Sequence, residues 1–182
     1  MKESADNRNE HNFLSRMSIS TADSIDLDAA DRRLLTLLQD DCWLTNQALA
    51  ERAHLSPATC LRRVRRLIEL GVIERQVALL SPDVLARVTG AGLTAILEVT
   101  LDRQDAVALD AFEARVAPEA AVQQCYRVTA GPDFVLIAYV PDMPAYHAFV
   151  QRVLTAQVNV RNVRAFFSVK RSKFAPALPL GD

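Results

Sequence analysis

Between Ser56 and Ile68 the chain reads SPATCLRRVRRLI, which places Arg62, Arg63, Arg65 and Arg66 close together with no acidic residue among them. As a helix, at about 100° per residue, Leu61, Val64, Leu67 and Ile68 share one arc with Cys60. Thr59, Arg62, Arg63 and Arg66 fall on the opposite arc, with Arg65 at its edge. Guanidinium groups form paired hydrogen bonds with guanine O6 and N7 and also clamp phosphates, so such a face suits the major groove of double-stranded DNA. A merely solvated charged face would interleave acids at i,i+4 spacing, and none is present. Ser56, Thr59, Arg62, Arg63 and Arg66 are therefore the expected DNA contacts, and Leu61 and Val64 are expected to face a core. The surrounding stretch from Cys42 to Leu80 adds Arg52 and Arg75 against Glu51, Glu69 and Glu74, so it is locally positive in a chain of formal net charge −1.

Other residue types carry weaker signals. Cys42, Cys60 and Cys125 are odd in number and lack metal-ligand spacing, which fits small buried hydrophobes better than a disulfide framework. Asp133 and Asp142 are scattered carboxylates without partners for a metal. Trp43, just before a capping Thr45, is expected to pack between helices. Phe166 and Phe167 alternate faces in a strand, so one ring is expected in the core and the other at an interface. No catalytic constellation, metal site or cofactor site is read from the sequence.

The elements that must position the arginines carry clear start and stop signals. A first helix is expected over 26–38, capped by Asp28, and a second begins after Thr45. Ser56-Pro57, a cap followed by proline at the first helical position, opens the third, and Gly71 closes it. Two helices joined by the short turn His54-Leu55 form a helix-turn-helix. Val72, Ile73, Val77, Leu79 and Leu80 suggest two short strands, a wing beside it. Farther on, Leu93–Leu101 is β-rich, 106–116 helical, 122–129 and 134–140 β-like, 144–154 helical and 163–169 a strand. That β-α-β-β-α-β order is a ferredoxin-like sandwich, so the fold class is α+β.

The 182 residues, half of them apolar, hold no stretch long enough to span a bilayer, and 1–24 is polar and lacks a secretory core. The expected organisation is a disordered leader at 1–24, a winged helix-turn-helix at 25–82, a linker at 83–92, an α+β domain at 93–175 and a tail at 176–182. A cytoplasmic location is expected.

At LSPATCLRRVRRLIELGVIERQVALLSP (residues 55–82) and VTAGPDFVLIAYVPDMPAYHAFV (residues 128–150) the chain resembles the Lrp/AsnC, or feast/famine, family of transcriptional regulators. The tail FFSVKRSKFAPALPL is similar as well. The resemblance implies a regulator, not an enzyme, that forms a homodimer through its second domain; dimers in the family often build octamers. It implies a small-molecule effector, commonly an amino acid or related metabolite, at the turn Thr129, Ala130, Gly131, Pro132, Asp133 and Phe134. Relatives usually carry threonine or serine, glycine, aspartate, any residue, aspartate in that turn. Here Thr129 and Asp133 match its ends, glycine is displaced by one position and Pro132 lacks an amide donor. An amino acid, a more apolar metabolite and no effector remain alternatives. Some proteins of similar architecture are haem-type decarboxylases that use histidines near the cleft between domains. Of His11, His54 and His147, only His147 falls in the second domain, and an intact arginine face has no use in such an enzyme.

Overall fold

The computed structural model describes residues 25–90, 92–155 and 159–180, so the expected leader lies outside the described residues. Two compact units are present: residues 25–77 together with 175–180, and Ala78–Phe174.

The first unit holds three helices, α1 (Ala29–Asp40), α2 (Asn46–Ala53) and α3 (Pro57–Glu69). Each starts on the residue type that satisfies its first free amides. Asp28 accepts from the Asp31 amide at 2.8 Å, Thr45 from Ala48 at 3.2 Å, and Ser56 from Thr59 at 3.3 Å, with Pro57 opening α3. Leu34, Leu49, Ala50, Ala53 and Cys60 form the buried core, with Leu38, Leu55 and Val64 packed against it. Between α2 and α3 the chain turns on His54, which sits in the left-handed region at φ 56°. Gly71 ends α3 at φ 72°, where the absence of a Cβ makes that conformation free of strain.

The strands expected over 72–80 do not form: among the described residues no ladder includes this segment. Its sequence explains why. Residues 74–80 (ERQVALL) contain no glycine, asparagine or proline to turn one strand back on another. Val77, Leu79 and Leu80 are consequently exposed.

The first element of the second unit is α4 (Pro82–Thr89), which starts at the last residue of the expected helix-turn-helix domain and fills most of the expected linker; β1 (Leu93–Leu101), α5 (Ala106–Val116), β2 (Val122–Arg127), β3 (Phe134–Val140), α6 (Met143–Val150) and β4 (Val160–Phe167) follow. A short π-helical turn, Gln151–Thr155, extends α6. The strands form one antiparallel sheet in the order β2-β3-β1-β4, as expected of a ferredoxin-like sandwich. Alternation decides the faces. Ala95, Leu97, Val99 and Leu101 of β1 and Phe134, Leu136, Ala138 and Val140 of β3 are buried with Phe112 and Val116 of α5 and Tyr146 and Phe149 of α6. Arg127 ties β2 to α5 through Glu113 at 2.8 Å and Asp110 at 2.6 Å. On the other sheet face, Ile96 pairs with Ile137 and Phe166, while Arg164 bridges to Glu98 at 3.2 Å.

A left-handed conformation costs a non-glycine residue roughly 1–2 kcal/mol. His54→Gly is therefore expected to stabilise the first unit by up to about 1 kcal/mol, part of the strain relief being offset by greater freedom of the unfolded chain. Urea denaturation of the full-length protein checks this through the unfolding midpoint.

Candidate nucleic-acid interface and effector turn

The start of α3 is fixed from two sides. Ser56 Oγ donates to Thr59 Oγ1 at 2.9 Å as well as capping the helix, and Asn46 Nδ2 donates to the Pro57 carbonyl at 2.9 Å. Ser56 and half-buried Thr59 thus spend their hydroxyls on the helix N-terminus.

The arginines divide. Asp31 of α1 is 1% exposed, the one charged side chain buried among the described residues. Arg63 Nη1 donates to its Oδ1 at 2.9 Å, and Arg66 Nη1 to its Oδ2 at 3.0 Å. Arg63 Nη1 also reaches Asp28 Oδ2 at 2.8 Å, and Arg66 Nη2 the Asp26 carbonyl at 3.1 Å. A buried carboxylate is tolerable only when its oxygens meet charged donors, and here both do. The Asp31 amide and the Arg63 guanidinium hold the Asp28 carboxyl below its ordinary range, and Asp31 and Asp28 in turn raise Arg63.

Arg62 and Arg65, by contrast, are exposed and make no ion pair among the described residues. Leu61, expected in the core, is 41% exposed, because the buried arc of α3 runs through Cys60, Val64 and Leu67. The outward surface of α3 is thus Ala58, Leu61, Arg62 and Arg65, continued by Arg66. The Asp31 clamp was missed from sequence. Its signal was an acid opening the series Asp31, Leu34, Leu35, Leu38, which is one face of a helix.

Trp43, expected between helices, is 82% exposed, since the core is closed by Leu44 and Leu38 without it. Cys60 is buried and its thiol is pushed up by that burial; Cys42 is half-buried, and Cys125 is exposed on β2, where a buried position was expected. Phe167 packs edge-on against Tyr146 with ring centroids 4.9 Å apart, while Phe166 stands on the open sheet face beneath Arg164.

In the second unit, the turn from Thr129 to Phe134 joins β2 to β3. Thr129, Ala130 and Gly131 are exposed, Gly131 at φ 87°, Pro132 is half-buried and Phe134 is buried. Asp133 is committed to the fold: its Oδ2 accepts from the Leu101 amide at 2.7 Å and from Gln104 Nε2 at 3.3 Å, and its own amide donates to Val99 at 2.9 Å. Leu101 also lines an open cleft of about 500 Å³, together with Arg103, Val107, Phe112, Arg115 and Val160. His54 is exposed in the first unit and His147 is exposed on α6 of the second. No group of three or more metal-ligating side chains is present among the described residues.

A helix-turn-helix unit presenting arginines, followed by a one-sided βαββαβ sandwich, defines a two-domain transcriptional regulator. Residues 27–74 match the winged helix-turn-helix DNA-binding family, and residues 94–178 match the Lrp/AsnC ligand binding domain. The chain is 39% identical to the leucine-responsive regulatory protein of Rhizobium meliloti, over 83% of this chain and 94% of that one. Among solved structures it is similar to a transcriptional regulator of Neisseria meningitidis in complex with L-methionine, at 35% identity and TM-score 0.74, covering 85% of this chain and 97% of that one. It is also similar to a feast or famine regulatory protein of M. tuberculosis complexed with L-methionine, at 29% identity and TM-score 0.71, covering 84% and 99%. The chain belongs to the Lrp/AsnC family of transcriptional regulators, with a DNA-binding helix-turn-helix and a ligand-binding-type domain.

The depressed Asp28 carboxyl gives a pH dependence of definite sign. Its charge contributes stability above the ordinary aspartate pKa and loses that contribution as pH falls through the lower folded value. Asp28→Asn keeps a capping oxygen and removes the charge. It is expected to be less stable than the parent at neutral pH and to converge with it on acidification, as followed by thermal melts from neutral to acid pH.

Proposed function

We propose that Arg62 and Arg65, flanked by Leu61 and Ala58, read operator bases and phosphates, while Arg63 and Arg66 orient the helix by clamping Asp31. The observation that supports this reading is the division of the four arginines: two guanidiniums are bonded to a buried carboxylate and two face solvent. Ser56 and Thr59 fix the helix N-terminus, where amides can meet a phosphate. Leu61 offers an apolar contact for a thymine methyl.

Two copies are needed to place two such helices on a two-fold site, and the open sheet face is the surface that supports pairing. Ile96 and Phe166 stand there 36% and 45% exposed. A homodimer through this face, able to build larger rings, fits the second unit. Such a protein works in the cytoplasm and has no catalytic role: among the described residues the exposed histidines stand in different units, without an organised partner set.

The effector is an amino acid or close relative; two similar proteins are solved in complex with L-methionine. The turn Thr129 to Phe134 supplies its contacts through exposed backbone and the Thr129 hydroxyl, and Asp133 braces the turn against β1 while offering its second oxygen to an ammonium group. Pro132 removes one amide from this set, which favours a ligand held largely by its apolar side chain.

Replacing Arg62 or Arg65 with alanine is expected to weaken operator binding by about 1–3 kcal/mol with folding unchanged, measured by fluorescence anisotropy and melting. Arg63→Ala is expected to lower the melting temperature, because it leaves Asp31 short of a partner. Unchanged DNA affinity in the Arg62, Arg65 double variant would remove the assignment.

Titration with L-methionine and L-leucine is expected to change oligomer size, operator affinity or both, read by light scattering and anisotropy. A ligand shifts the assembly only through its different affinity for the two states. Thr129→Val at the exposed turn is expected to weaken that response while leaving effector-free DNA binding intact. An undiminished response would place the pocket elsewhere, and no response in the parent would favour a regulator without an effector.

A further inference from the structure

The C-terminal segment from Ala175 to Leu180 (APALPL) has no regular secondary structure, yet it belongs to the first unit. It does so even though the ligand-binding domain match extends to residue 178. Its contacts are made to backbone atoms. The Leu178 amide donates to Gln39 Oε1 at 2.6 Å, and the Leu178 carbonyl accepts from Gln39 Nε2 at 3.1 Å. Two turns earlier on α1, Arg32 Nη1 donates to the Leu180 carbonyl. Arg32 and Gln39 are seven residues apart and so lie on one helix face.

The side chain of Leu178 is 71% exposed, so α1 engages the extended backbone more than the leucine. Pro176 and Pro179 fix their own φ angles and leave the segment with less freedom to lose on docking. The chain leaves the first unit between Val77 and Ala78 and returns to it between Phe174 and Ala175.

We propose that the outer face of α1, through Gln39 and Arg32, is a docking surface for the chain's own C-terminal segment, giving the second domain a second hold on the DNA-binding unit. A unit joined through a single connection explores many orientations. A docked return segment restricts them, which lowers the ordering cost when α3 meets DNA.

The test uses the full-length protein. In hydrogen exchange, the Leu178 amide is expected to exchange at least about ten-fold more slowly than the same amide in a free APALPL peptide. Gln39→Ala should return it to the free rate, whereas Gln39→Glu, which keeps an acceptor and loses the donor, should retain part of the protection. Gln39→Ala leaves α3 untouched and is expected to weaken operator binding by about three- to ten-fold. A Leu178 amide that exchanges freely in the parent overturns the docking. Unchanged operator affinity in a folded Gln39→Ala protein overturns the second hold. In a mixture of Gln39→Ala chains with chains truncated after Phe174, the Leu178 amide should stay at the free rate; protection restored by Gln39 of the truncated partner overturns the assignment to the chain's own segment.

Discussion

A carboxylate withdrawn from water must be met by charge and hydrogen bonds, and in this protein that constraint sets the orientation of α3, the second helix of the helix-turn-helix. Asp31 occupies a position on α1 whose neighbours along the same face, Leu34, Leu35 and Leu38, serve the core. Its oxygens are met from α3 by Arg63 and Arg66, whose spacing of three residues lets both reach across to one acid. The rotation of α3 about its axis follows. Cys60, Val64 and Leu67 turn inward, and Leu61, Arg62 and Arg65 turn outward. An arginine-rich helix without such a clamp could present any of its guanidiniums. Here the electrostatics of the fold select which ones stay exposed, and the DNA contacts proposed for Arg62 and Arg65 rest on that selection.

The second unit poses a different problem. Two helices and a π-helical turn cover one face of the sheet, and on the remaining face Ile96 pairs with Ile137 on one side and with Phe166 on the other. A sheet with one covered face in a small domain is stable because its buried strands alternate cleanly. The same alternation places apolar side chains on the outside. Stability of the single domain and the apolar outer face on which the proposed pairing rests thus come from one pattern. Asp133 contributes at the end of that sheet, where it bonds to the Leu101 amide and holds the β2–β3 turn against β1. That turn is therefore part of the frame as well as a candidate contact for a ligand.

The features legible in the sequence were those set by local chemistry. Asp28, Thr45 and Ser56-Pro57 capped the helices they announced, and Gly71 ended α3, because capping needs only a side chain and amides within one turn. The β-α-β-β-α-β order was legible because each segment had its own period. The wing strands were misread because apolar β-formers at 72–80 were counted without asking for a turn between them. Trp43 was placed inside because its size suggests burial, although nearby Leu44 and Leu38 already fill the site. The division of the arginines could not come from α3 alone, since its cause lies on α1, about thirty residues earlier. The role of Asp133 in bracing the turn was hidden for the same reason: its partners, Leu101 and Gln104, stand about thirty residues earlier in the chain.

The most direct measurement of this division is a base-pair substitution scan of an operator against the parent protein and its single-arginine variants. If Arg62 reads a base, Arg62→Ala should become indifferent to substitution at one operator position while discriminating normally at the others. Arg63→Ala, compared at equal folded concentration, should keep the parent's full pattern of preferences. The reverse, a position lost with Arg63→Ala and none altered by Arg62→Ala or Arg65→Ala, would contradict the assignment of the Asp31 clamp as the frame and of the outward arginines as the readers.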